Sequence, residues 1–217
     1  MDSRLRYLRR QHSADPGDIQ IHARLLSSAI RAGFLNFPHA LLCAFLDHPA
    51  ARLVLINEAK KDGVIFKGKK IPNIEIIHLI GNIPQWGEEA ARRAALAIAN
   101  LCVTHLKYAG QTGSFYTLAE RGIEAAECII KRNGPDDKLW TIIRNIRNIQ
   151  SERNQQIFSR REKISICERM IVNFLIDCVT TGSHIGLLKA STAWFDDDKL
   201  KVAVRAELYP WALGEFV

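Results

Sequence analysis

The chain has 217 residues, 47% of them hydrophobic and 24% charged, which is the composition of a folded globular protein rather than a disordered or membrane one. Its 30 basic and 23 acidic side chains leave a formal net charge of +7, an attraction for nucleic acid or for acidic partners. No apolar run reaches the roughly 20 residues that span a bilayer, and the arginine-bearing amino-terminal stretch lacks the apolar centre of a secretion signal, so the reading is cytoplasmic with no membrane partner.

Residues 3–12 read as a short basic helix with Leu5 and Leu8 inward. Asp15-Pro16 then supplies a helix start, because aspartate accepts from orphan amides and proline suits the first helical position. The helix that follows sets Ile19, His22, Leu25, Leu26, Ala29 and Ile30 on one stripe. Gly33 ends it, since glycine enters the left-handed conformation without a Cβ clash. Pro38 opens a third helix, and Asp47-His48-Pro49 breaks the chain and restarts it into a fourth. The amino-terminal part, 1–59, is therefore helical.

Between 60 and 85 the character changes to glycine, proline and β-branched residues. A hairpin around Lys67 to Lys70 is one reading, but a lone two-stranded ribbon is marginal, which favours a loop with a short helix over 74–80. Loops on rigid scaffolds often carry function. Lys67, Lys69 and Lys70 are thus candidate partner contacts, against the plainer reading of an irregular connection.

The stretch Trp86 to Tyr108 organises the rest. After Glu88 and Glu89 it runs through Ala90, Ala91, Ala94 to Ala99 and on to Cys102, Val103 and Leu106 with hardly a polar break. A helix apolar on nearly every side is enclosed by others, and alanine lets neighbouring backbones approach. Ser114 begins a further helix in which Gly122 either permits a close crossing or weakens the helix. Asp136 or Asp137 starts the next, where Ile142, Ile143, Ile146 and Ile149 face one way and Arg144, Arg147 and Asn148 the other. The tract 151–163 is the most polar of the chain and reads as a loop or an exposed turn. A second strongly apolar helix follows, then HIGLLKASTAW, and Asp196 to Asp198 put negative charge at the start of the final helix, favourable to its dipole. Pro210 should kink or end that helix.

Chemistry-bearing patterns are missing from the sequence. It contains no Walker loop, strand-bound glycine fingerprint, GxSxG or HExxH. The five cysteines, Cys43, Cys102, Cys128, Cys167 and Cys178, are odd in number and widely spaced inside apolar runs, as core residues of a reducing compartment are. His22, His78 and His105 sit among apolar neighbours and suit a structural hydrogen bond each. No catalytic residue, metal, cofactor or small-molecule substrate is assigned.

These readings add up to a single all-α domain over 1–217, of about eight helices in a short solenoid-like or irregular bundle: helices over 1–59, an irregular segment over 60–85 and core helices over 86–217. The function expected is a non-enzymatic module that binds another protein, with Trp86, Trp140 and Trp211 as candidate anchors beside the lysine-rich loop. The alternative is a basic nucleic-acid-associated accessory factor using Arg144, Arg147, Arg153, Arg160 and Arg161.

The segments DPGDIQIHARLLSSAIRAGFL, AFLDHPAARLVL, WGEEAARRAALAIANL, RGIEAAE and VRAELYPWALGE resemble corresponding segments of a loosely characterised group of bacterial all-helical proteins, some described as immunity proteins or found as companions to repeat domains. The lysine-rich loop and the Ile-Arg-Asn helix depart from that pattern. The resemblance implies a helical partner protein of a toxin or defence system, and it transfers no catalytic residue.

Overall fold

A computed structural model describes residues 3–61, 80, 82–110, 113–132, 137–154, 162–180 and 184–216. It is all-α, 87% helical, with ten α-helices and no strand among the described residues, against the eight or so that the sequence reading anticipates. The helices are α1 Ser3–Ala14, α2 Ile19–Arg31, α3 Phe37–Phe45, α4 Pro49–Lys61, α5 Glu88–Tyr108, α6 Ser114–Arg132, α7 Asp137–Asn154, α8 Glu162–Thr180, α9 Ile185–Ser191 and α10 Asp197–Leu213; single 3-10 turns occupy Ile83–Trp86 and Gly214–Phe216. No single helix among the described residues is long and apolar enough to cross a membrane. The lysine-rich loop, with the hairpin or short helix proposed over 60–85, falls almost wholly outside the described residues.

The chain forms two compact units, Met1–Glu75 with Arg205–Val217, and Ile76–Val204. In the first, α1 packs on α2, α2 on α4 and α3 on α4. Leu5 and Leu8 of α1, Leu25, Leu26 and Ala29 of α2, Ala40, Cys43 and Ala44 of α3, Ala50, Ala51 and Val54 of α4, and Ala212, Leu213 and Phe216 share one buried cluster. The start of α2 differs from the sequence reading. Asp18, not Asp15, is its cap, with Oδ1 accepting from the amides of Gln20 (2.8 Å) and Ile21 (3.0 Å), while Asp15 accepts from Gly17 N in the preceding turn. Two aspartates three residues apart compete for the role, and the one beside the apolar stripe wins. The other end of α2 is as expected: Gly33 has φ +74, and the amides of Gly33 and Phe34 return to the carbonyls of Ile30 and Ala29.

The second unit is built around α5, which packs on α6, α8 and α9. Ala90, Ala91, Ala94 to Ala99, Cys102, Val103 and Leu106 are all buried, while Asn100 and Thr104 face water. α6 lies against α7 and α8, and α7 against α8. Gly122 settles its two readings in favour of the close crossing: a Cβ there would sit 2.7 Å from Leu175 Cδ1 and 3.3 Å from Ile142 Cγ2. The polar tract at 151–163 belongs in part to helices, since α7 continues to Asn154 and α8 begins at Glu162; 155–161 lie outside the described residues. Asp196 accepts from the amide of Asp198 (2.9 Å) at the start of α10. Pro210 does not end that helix, which runs on to Leu213. Proline brings no amide to the Ala206 carbonyl one turn back, so the helix forgoes that bond without stopping.

Candidate interaction site

α7 is a two-sided helix. Leu139, Ile143 and Ile146 are buried, and Ile142 and Ile149 half-buried, as the isoleucine spacing requires. The opposite side carries Trp140, Arg144 and Arg147, at positions i, i+4 and i+7, which stand in line along one face. Trp140 is 49% exposed. Both arginines are exposed, and no carboxylate pairs with either among the described residues. An indole with two exposed guanidiniums beside it offers a flat apolar anchor and two forks that fit carboxylate or phosphate. The sequence reading assigned Trp140 to a protein partner and the arginines to nucleic acid; the helix puts all three on one stripe.

The other candidates are placed differently. Trp86 is half-buried in the 3-10 turn before α5, and Trp211 packs on the first unit's core with its ring 4.6 Å from that of His39. Trp211 therefore completes a core edge. Arg153 falls in the last turn of α7 with its side chain outside the description, and Lys67, Lys69, Lys70, Arg160 and Arg161 lie outside the described residues.

Sequence reasoning missed a second polar constellation, in the first unit. α3 and α4 meet at 117° across Leu46-Asp47-His48. Asp47 holds the left-handed position there with φ +68, where glycine stands at the end of α2. Its carboxylate accepts from Arg52 Nη1 (2.8 Å) and from Arg205 Nη2 (2.9 Å). The Leu46 carbonyl, at the negative end of α3, accepts from Arg205 Nε (2.7 Å) and from the Tyr209 hydroxyl (2.6 Å). His48 starts α4, its Nδ1 accepting from the amide of Ala51 (3.3 Å). Burial, with His22 and His12 adding their charge, holds its pKa at about 4. His22 is also pushed down by burial, and its Nε2 donates to the Phe216 carbonyl (2.6 Å). The one signal in the sequence was Asp-His-Pro, which marks the corner but not its partners, about 160 residues away.

In the second unit His184 is 2% exposed and, among the described residues, neither ring nitrogen has a hydrogen-bond partner; Asp177 Oδ2 lies 3.7 Å from Nδ1. Burial pushes its pKa to about 4, the nearby Arg92 acting the same way and Glu88 opposing. Cys178, beside Asp177, is pushed up to about 12 by burial and is not primed as a nucleophile. No group of three or more histidine, cysteine or acidic side chains able to hold a metal ion occurs among the described residues.

Comparison with known proteins returns no relative: no family model matches the chain, and neither a curated protein nor a solved structure matches it.

Proposed function

We propose that this protein is a non-enzymatic helical module that binds an acidic protein through the exposed face of α7, and that it serves as an immunity or accessory protein of a bacterial toxin or defence system. The single observation that carries the binding surface is the stripe Trp140, Arg144 and Arg147, solvent-facing and without acidic partners among the described residues. Tryptophan and arginine are the residue types that most often anchor protein interfaces. The net charge of +7 favours a partner of opposite sign and speeds its approach. The biological setting rests on the resemblance of the helix caps and alanine-rich faces to bacterial immunity and repeat-companion proteins.

Affinity capture from the native host with the intact chain, in parallel with Trp140→Ala and the pair Arg144→Glu, Arg147→Glu, tests this reading. The expected result is one acidic protein retained by the unaltered chain after nuclease treatment and lost from both variants. Retention of nucleic acid instead, with an affinity that falls steeply as salt rises and with the arginine pair, would replace the reading with that of a nucleic-acid-associated accessory factor.

A further inference from the structure

Three imidazoles from three different elements of the first unit touch one another. His12 of α1 stacks on His22 of α2 with ring centroids 4.1 Å apart, and His22 meets the edge of His48, at the start of α4, at 5.2 Å. The edge of Tyr209 closes the row, 4.8 Å from His48. Against His22, the middle ring, sits the turn Gly214–Phe216. Phe216 is buried, its carbonyl bonded to His22, its ring 4.7 Å beneath the Arg9 guanidinium, while Glu215 pairs with Arg9.

The partners fix where protons already are. His22 Nε2 donates to Phe216, so a second proton must go to Nδ1, inside the unit. His48 Nδ1 accepts from the Ala51 amide, so a proton there would set donor against donor at the first turn of α4. His12 Nδ1 is buried and has no hydrogen-bond partner among the described residues. The charged groups around the row are Arg9 from α1, Asp47 and Arg52 at the α3–α4 corner, Arg205 from α10 and Glu215 from the turn; Tyr209 and Cys43 are the neutral titratable ones. Both carboxylates are occupied, Asp47 by two arginines and Glu215 by Arg9, and among the described residues no carboxylate pairs with any of the three rings. One bond favours a charged His22, the one to Phe216, but burial outweighs it. A second positive charge in the row would lie about one ring diameter from the first, in a site with little water to screen it.

We propose that His22 and His48, in the ring row that His12 completes, form an acid-sensitive latch: neutral, they seat the turn Gly214–Phe216 on the first unit, and on taking up protons they release it. The release is local, because His22 joins the row to that turn through the Phe216 carbonyl. It is reversible, since no bond is made or broken beyond proton transfer.

Hydrogen exchange of the full chain at pH 7.4 and pH 5.0, corrected for the intrinsic rate, tests the latch, with the double variant His22→Gln, His48→Gln alongside. Glutamine at position 22 retains an N–H for the Phe216 carbonyl but does not titrate. Amides of residues 208–216 should exchange at least tenfold faster at pH 5.0 in the unaltered chain and change less than threefold in the variant, while the response of α8 and α9 is the same in both. Equal acceleration of 208–216 in variant and unaltered chain overturns the proposal, as does the absence of acceleration in the unaltered chain. If the variant does not fold at pH 7.4, proton NMR of the unaltered chain decides: two histidines titrating well below 6.5 in step with loss of protection at 208–216 support the latch, and all titrating at or above 6.5 overturn it.

Discussion

Asp47 holds a backbone conformation that a side-chain-bearing residue adopts at a penalty of about 1–2 kcal/mol, and what holds it there is a pair of guanidiniums, one from the next helix and one from α10. Aspartate suits the position better than glycine would, because the carboxylate draws Arg205 onto the end of α3 as well. The side chains are about a third exposed, so the ion pairs are screened and worth little singly. A double-mutant cycle with Asp47→Asn and Arg205→Met should give a coupling of about 0.5–1 kcal/mol in urea unfolding. Asparagine keeps the left-handed tolerance, so additive effects would mean that Arg205 acts through the Leu46 carbonyl alone.

His184 belongs to the same scale. Its folded pKa of about 4 is below the ordinary 6.5, so the unfolded chain binds the extra proton first as pH drops. Stability from this group is complete above about pH 6.5 and declines as pH falls from there through about 4. Between pH 7.5 and pH 5 the loss should be roughly 2 kcal/mol from His184. In His184→Leu the difference between urea melts at those two pH values should shrink by about that amount. A difference unchanged by the substitution would mean that the ring is already protonated or hydrated in the folded state.

At the scale of elements, the crossing of α6 on α8 is decided by one absent Cβ. Alanine in place of Gly122 gains about 1 kcal/mol of helix propensity but drives a methyl into Leu175, itself fully buried, and an overpacked core loses about 1–3 kcal/mol. Gly122→Ala should therefore destabilise the chain by about 1 kcal/mol, read as a lower urea midpoint at constant m-value. A rise in the midpoint would place the crossing further apart than the structure does. The isoleucine and arginine faces of α7, the burial of α5 and the Gly33 stop were legible in the sequence because each depends on spacing within a single helix. The choice of Asp18 over Asp15 was not, since both satisfy the local rule.

For the whole molecule, the charge of +7 sets a long-range attraction but selects no surface. In the proposed reading, selection falls to Trp140, Arg144 and Arg147. Because Trp140 stands on the outer side of α7 with 49% of its surface exposed, Trp140→Ala should leave thermal stability within about 0.5 kcal/mol of the unaltered chain, yet weaken partner binding at least tenfold if the indole is an anchor. Calorimetry and a binding titration on the same sample separate the two effects. A large stability loss would reassign Trp140 to the fold and remove the surface.

Helix content, the enclosure of residues 90–106 and the amphipathic sides of α2 and α7 follow from the order of apolar and polar residues, because 3.6-residue periodicity and capping are local and chemical identity along the chain suffices to state them. Which arginine reaches Asp47, which three histidines share a row, and that Trp211 closes a core edge while Trp140 stays outside were decided by tertiary packing. Such contacts join different helices, the Asp47–Arg205 pair across 158 positions, and no local rule ranks one distant partner above another until the helices between them have been placed.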